Sequence, residues 1–262
     1  MAKTVSDPLA RFPKADAAVK NRIIAGSYGF PGCGKTAWWL GAPGPIVLLS
    51  FNKGYEGVIE QFQDLKDIRV VDYDWVYNPD AEGMQDDAEA IITQFYSDYE
   101  LAIQHARTVI VDLESELWEV ARYAEFGAPA DNPRNFDKLN SRMRRLVNMA
   151  KATDVNLGML QAMKERYNKQ TNKNTGAKGF AASGEFERWG FKELEGLVHQ
   201  NIEHRRVKVD GGQTRFEIEV GKARGPGSRD VQDQTFEVKD PKMGFMEFAL
   251  QLFPDSDVSN WE

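Results

Sequence analysis

The stretch GSYGFPGCGKTAWW, residues 26–39, sets four glycines and a lysine between an apolar run and a tryptophan pair. Within it, Gly29-Phe30-Pro31-Gly32-Cys33-Gly34-Lys35-Thr36 has the spacing G-x-x-x-x-G-K-[ST] of a phosphate-binding loop. The spacing has a physical reason. Glycine reaches positive φ at little cost, so successive backbone N–H groups can turn inward and surround phosphate oxygens. Lys35 then reaches the β- and γ-phosphates, the Thr36 hydroxyl ligates Mg2+, and the helix that starts here adds the positive end of its dipole. The flanks agree. RIIAGSY (22–28) reads as a short buried strand, and KTAWWLG (35–41) as a helix closed by Gly41 and Pro43. ATP with Mg2+ is therefore the expected ligand. Cys33, the only thiol, is expected to be a small side chain packed under the loop, and Trp38 and Trp39 to be core.

The 262 residues are 42% hydrophobic, enough for one large domain or two small ones with a real core. No run approaches the 18 apolar residues of a membrane span, and the first 20 residues lack the apolar centre of a signal peptide. One cysteine and three scattered histidines offer neither an internal disulfide nor metal-ligand spacing. A reduced, cytoplasmic, membrane-free protein is expected. The net charge of −7 leaves no general basic surface, so any contact with nucleic acid must come from a local patch.

Outward from the loop, GPIVLLSF (44–51) and DIRVVDYDWVY (67–77) read as strands, and an amphipathic helix is expected from about Asp87 to His105. Thr108 to Val111 form an apolar strand ending in Asp112, a Walker B shape that brings a carboxylate to the Mg2+ shell. Residues 126–136 read as a loop. A helix follows near Phe136–Lys151 with Leu139, Met143, Leu146, Val147 and Ala150 on one face, then a buried strand over 155–163. Residues 164–190 read as a long polar, glycine-bearing loop. EGLVHQNIEHRRVKVD and TRFEIEVGKARG, joined through DGGQ, read as a hairpin, QTFEVKD as a short strand, and MGFMEFALQLF as a final amphipathic helix. The expected fold is α/β, a mainly parallel central sheet flanked by helices with a C-terminal antiparallel hairpin. Residues 1–20 form an N-terminal segment, 21–254 the domain, and 255–262 a short acidic tail that would regulate access, recruit a partner or simply be disordered.

This order of parts resembles RecA-like P-loop ATPases over roughly residues 22–225, and most of all the short phage-encoded RecA-core recombination ATPases associated with single-strand annealing. YGFPGCGKTAWWLGAPGPIVLLSF is similar to their opening. The resemblance implies a homo-oligomer, ring or filament, that binds single-stranded DNA and works with phage recombination or replication proteins in the host cytoplasm. It implies that Gln161 senses the γ-phosphate, and that Lys222 and Arg224 reach a neighbouring subunit's ATP, where cations stabilise transition-state charge. It implies that residues 1–20 dock on a neighbour. Residues 126–136 and 164–190 take the places of the DNA-facing loops. Six basic residues (Lys164, Arg166, Lys169, Lys173, Lys178, Arg188) outnumber three acidic ones in the second loop, and Tyr167, Phe180, Phe186 and Trp189 offer stacking faces for unpaired bases.

The sequence departs from that family at one place. Where members usually carry an acidic stretch whose Glu polarises the attacking water, this chain reads Ser50-Phe51-Asn52. An amide orients water but accepts no proton. Glu56, four residues on, and Glu114, two beyond Asp112 and on its side if the strand continues, are the available substitutes. A slow ATPase, or an ATP switch, is expected. Two other readings stay open: a helicase-loader or packaging-type motor, and a P-loop nucleoside or nucleotide kinase.

Overall fold

The computed structural model describes residues 20–78, 82–127, 136–171, 178–209 and 211–262, and the side chains of these apart from 168–171 and 178–180. Strand β1 (Ile24–Tyr28) feeds the glycine loop and helix α1 (Lys35–Leu40). Strands β2 (Ile46–Ser50) and β3 (Ile68–Asp72), helix α2 (Met84–His105), strand β4 (Thr108–Asp112) and helices α3 (Glu114–Phe126) and α4 (Asp137–Ala152) follow. Then come β5 (Asn156–Gln161), the pair β6 (Met163–Thr171) and β7 (Lys178–Arg188), the short helix α5 (Leu194–Leu197), β8 (Gln200–Lys208) and β9 (Thr214–Lys222). A short helix α6 (Ser228–Val231), strand β10 (Thr235–Glu237) and helix α7 (Pro241–Leu252) close the chain.

The central sheet runs β10-β9-β8-β1-β5-β4-β2-β3, parallel from β8 to β3, with β9 and β10 added antiparallel. Strand β5 lies between the loop strand β1 and the Asp112 strand β4, so Tyr28, Gln161 and Asp112 reach the same end of the sheet. This is the expected α/β architecture, a mainly parallel central sheet flanked by helices with a C-terminal antiparallel hairpin.

Alternation sorts the side chains onto two cores. Val109 and Val111 face α2, α3 and α4, while Ile110 faces α1 and α7. Because both faces are covered, the inner strands read as unbroken apolar runs. On α4 the buried residues are the five expected, Leu139, Met143, Leu146, Val147 and Ala150. On the other face, Trp38 and Trp39 are at most 1% exposed and pack against Phe245 of α7. Trp39 also donates its indole N–H to the Ser27 hydroxyl, which satisfies its one polar atom. Helix α7 starts where its sequence dictates: Pro241 occupies the first turn and the Asp240 carboxylate accepts from the Lys242 N–H.

Several elements differ from expectation. Residues 164–190 are not a long loop: β6 and β7 pair antiparallel from Met163↔Arg188 to Thr171↔Lys178, with a register shift between Glu165 and Tyr167. Among the described residues its side chains join neither hydrophobic core, so its strands show no alternation to read. Strand β3 ends at Asp72, five residues short of the expected run, and α2 starts three residues early. Helix α3 was not anticipated; its first turn follows the Asp112 strand directly. The acidic tail is folded back, with Trp261 1% exposed and stacked on Phe253. Residues 1–19 and 128–135, which hold most of the expected N-terminal segment and first DNA-facing loop, lie outside the described residues. Among the described residues, no helix is long and apolar enough to cross a membrane.

Candidate functional site

The loop leaves β1 at the carboxyl edge of the sheet and closes on α1. Gly29 has φ 155°, and a Cβ there would lie 2.4 Å from the His204 carbonyl and 2.7 Å from the Cys33 sulfur, so only glycine fits. Gly32 (φ 72°) and Gly34 (φ 87°) also take positive φ, the condition for inward-turned N–H groups. The Lys35 ammonium lies inside the loop, 2.9 Å from the Gly29 carbonyl and 3.2 Å from that of Phe30. It is 8% exposed, and anionic phosphates are the natural partners of such a buried cation. Cys33 is the small buried side chain expected; burial pushes its thiol up, against the opposing pull of Lys35.

Thr36 and Asp112 meet at the foot of the loop. Thr36 Oγ1 donates to Asp112 Oδ2 at 2.7 Å across 76 residues of sequence. Burial raises the Asp112 pKa, while the Thr36 bond and Lys35 oppose the rise. A hydroxyl and a carboxylate within hydrogen-bond distance at the foot of a phosphate loop are a donor set that suits Mg2+, an oxygen-seeking cation. Lys35, Thr36, Asp112 and Asn52 line one cavity of about 470 Å3, with Gln61 and Ala162 at its side.

Asn52 faces that cavity, its Oδ1 accepting from the Gly54 N–H at 3.0 Å. Glu56 is exposed and does not line it. Glu114 does not follow Asp112 by strand alternation, because the strand stops at Asp112 and Glu114 opens α3. Its carboxylate is fully buried, accepting from Gln161 Nε2 at 2.8 Å and from the Phe191 N–H at 3.1 Å. Burial lifts its pKa to about 7, against both hydrogen bonds. Gln161, at the tip of β5, is thereby tied through Glu114 to Phe191, just beyond the β6–β7 pair. Among the described residues, Asp112 is the one carboxylate lining the phosphate cavity.

The β6–β7 pair rises beside this site. Lys164 is exposed, and Arg166 is exposed but within 3.4 Å of both Glu185 and Glu187. Arg188 turns inward: its guanidinium stands 3.6 Å over the Tyr28 ring and bonds the Asn201 carbonyl oxygen of the side chain. The side chains of Lys169, Lys178 and Phe180, and all of Lys173, lie outside the description. At the far end of the β8–β9 ladder, Lys222 donates to the Glu195 and Gly196 carbonyls, beside exposed Arg224. Lys222 lies six positions along β9 from Phe216, which packs on Gly34. That spacing is about 20 Å of strand, so the two cations are remote from the chain's own loop.

Three features escaped the sequence reading. Phe216 lies against Gly34 and lines both the phosphate cavity and an adjoining one of about 590 Å3 toward Thr214 and Val238. The exposed Arg206 guanidinium reaches to 4.0 Å of the Cβ position at Gly32. Phe30 meets Phe186 of β7 edge to face at 4.8 Å, a direct contact between the loop and the pair. All three depend on strand pairing that brings residues 150 or more positions apart together, and no local pattern encodes it.

No protein-family model matches the chain, and no curated protein does. Among solved structures, it is similar to a KaiC-like protein of the hyperthermophilic archaeon Pyrococcus horikoshii OT3, at 12% identity over 84% of this chain and 87% of that one, with a TM-score of 0.46. It is also similar to an ATPase of the type III secretion system of pathogenic bacteria, at 14% identity over 70% of this chain and 51% of that one, with a TM-score of 0.39.

Proposed function

We propose that this chain is an oligomeric ATPase that turns over slowly and acts on single-stranded DNA in phage recombination or replication. The observation that carries the nucleotide half is the joint placement of Lys35 inside a three-glycine loop and of Thr36 on Asp112 at 2.7 Å. Lys35 would hold the β- and γ-phosphates, and Thr36 and Asp112 would hold Mg2+, which neutralises phosphate charge when bound. The neighbouring cavity under Phe216 would take the base, stacked on that ring.

Slow turnover follows from the lining. Asn52 orients water without accepting its proton, Glu114 has both oxygens engaged, and Glu56 faces solvent. Lys222 and Arg224 would complete the site of a neighbouring copy, which makes activity depend on assembly. Lys164, Arg166, Lys169, Lys173, Lys178, Phe180 and Arg188 remain the proposed DNA contacts, with Arg188 acting only if it leaves Tyr28. The Phe30–Phe186 contact supports a link between nucleotide and DNA.

The test is fluorescence anisotropy of a labelled thymidine 20-mer with the full chain and Mg2+, in ATP and in ADP. Tighter binding in ATP is expected, weakening steeply with salt as phosphate contacts require. Equal, negligible binding in both would remove the DNA part of the proposal.

A further inference from the structure

At the root of the β6–β7 pair is a further cavity, of about 310 Å3, which shares no lining residue with the phosphate cavity and adjoins it where the Trp189 backbone N–H bonds the Ala162 carbonyl. Rings of Trp118, Phe136 and Trp189 line it, with Lys164 and Lys192 exposed at its rim. That volume lies at the small end of ligand pockets, the right scale for one planar ring system. Trp118 and Phe136 are tilted neighbours at 5.7 Å. The Trp118 indole N–H is buried and, among the described residues, has no hydrogen-bond partner.

The charge around the cavity is positive. Glu119 also lines it, but Arg122 holds that carboxylate at 2.8 Å and the Trp189 N–H bonds it at 3.2 Å. Glu193 is gripped by both arms of Arg144, at 2.6 and 2.7 Å. Lys164 and Lys192 form no ion pair among the described residues. Two ammonium groups with no ion pair among the described residues, beside a three-ring aromatic pocket, suit a flat ring with phosphates on either side.

We infer that this cavity holds one unstacked base of a single nucleic acid strand, with the Lys164 and Lys192 ammonium groups on the flanking phosphates. The inference rests on the single-strand reading above. It adds a base-reading pocket outside the nucleotide site, and it makes binding depend on bases and not on phosphate charge alone. Stacking of this kind is worth about tenfold in affinity per base.

The experiment compares a thymidine 20-mer with a 20-mer of the same backbone carrying abasic sugars at every position, both titrated onto the full chain in ATP. A third strand with 5-iodouracil is irradiated and its cross-links mapped. The expected result is about tenfold weaker binding of the abasic strand, with cross-links to Trp118, Phe136 or Trp189. Lys192→Glu, at an exposed rim position, should weaken the thymidine strand several-fold while leaving the fold intact by circular dichroism. Equal binding of the two strands, or cross-links confined to other residues, overturns the pocket and leaves the single-strand reading standing. Failure of both strands to bind overturns that reading and the pocket with it.

Discussion

Glu114 is a carboxylate that burial has removed from solvent and two hydrogen bonds have committed. Its pKa of about 7, against an ordinary 4.5, makes it a stability switch with a definite sign. Between those two values the folded chain binds the proton that the unfolded chain has released, so this group makes stability fall as pH rises from about 4.5 to 7. The size is about 3 kcal/mol, from 1.36 kcal/mol per pKa unit. His199 and His204, lowered by burial to about 4 and about 3, act the other way below their ordinary 6.5. The difference between wild type and Glu114→Gln isolates the carboxylate. We expect urea midpoints of the variant to gain on wild type as pH is raised from 5 to 8; parallel curves would mean that Glu114 is ionised throughout. Residues such as Lys35, Thr36 and Asp112 were legible in the sequence because a loop and a strand end are local patterns. The partner of Glu114 was not, since Gln161 is 47 positions away and meets it only through the β4–β5 pairing.

Elements that bury apolar surface on a fixed period were equally legible: the parallel strands, α4 and α7. The β6–β7 pair was hidden because it faces no core, and α3 because its first turn follows so closely on Asp112 that the acidic stretch reads as strand continuation. The packing of α1 on the sheet gives a direct check at this scale. Gly158 of β5 sits under Trp39, and a Cβ there would fall 2.6 Å from the indole ring. Gly158→Ala should therefore cost about 1–3 kcal/mol by overpacking, read as a lowered denaturant midpoint with an unchanged slope. A neutral outcome would mean that α1 can lift from the sheet, and with it the loop that closes on Lys35.

For the whole molecule, the decisive question is whether one copy completes another's site. Lys222 and Arg224 stand at the end of the β8–β9 ladder opposite the loop, so any role at ATP must be in trans. Lys35→Ala lacks a working loop but keeps its arginine, whereas Arg224→Ala keeps the loop and lacks the arginine. Mixed in equal amounts, the two inactive variants should turn over more ATP than the sum of each alone. Strict additivity would remove Arg224 from catalysis. The sequence indicated these cations only through resemblance, because a Lys-x-Arg after a hairpin is an ordinary solvated pair by composition.

We propose that Lys35, Thr36 and Asp112 form a working ATP site in which, among the described residues, no lining carboxylate other than Asp112 stands ready to take water's proton. Steady-state ATP hydrolysis with and without single-stranded DNA, beside Lys35→Ala, tests it most directly. We predict slow turnover by wild type, raised by the DNA and abolished in Lys35→Ala. Hydrolysis that persists undiminished in Lys35→Ala would contradict the site itself, and fast turnover without DNA would contradict the reading of Asn52.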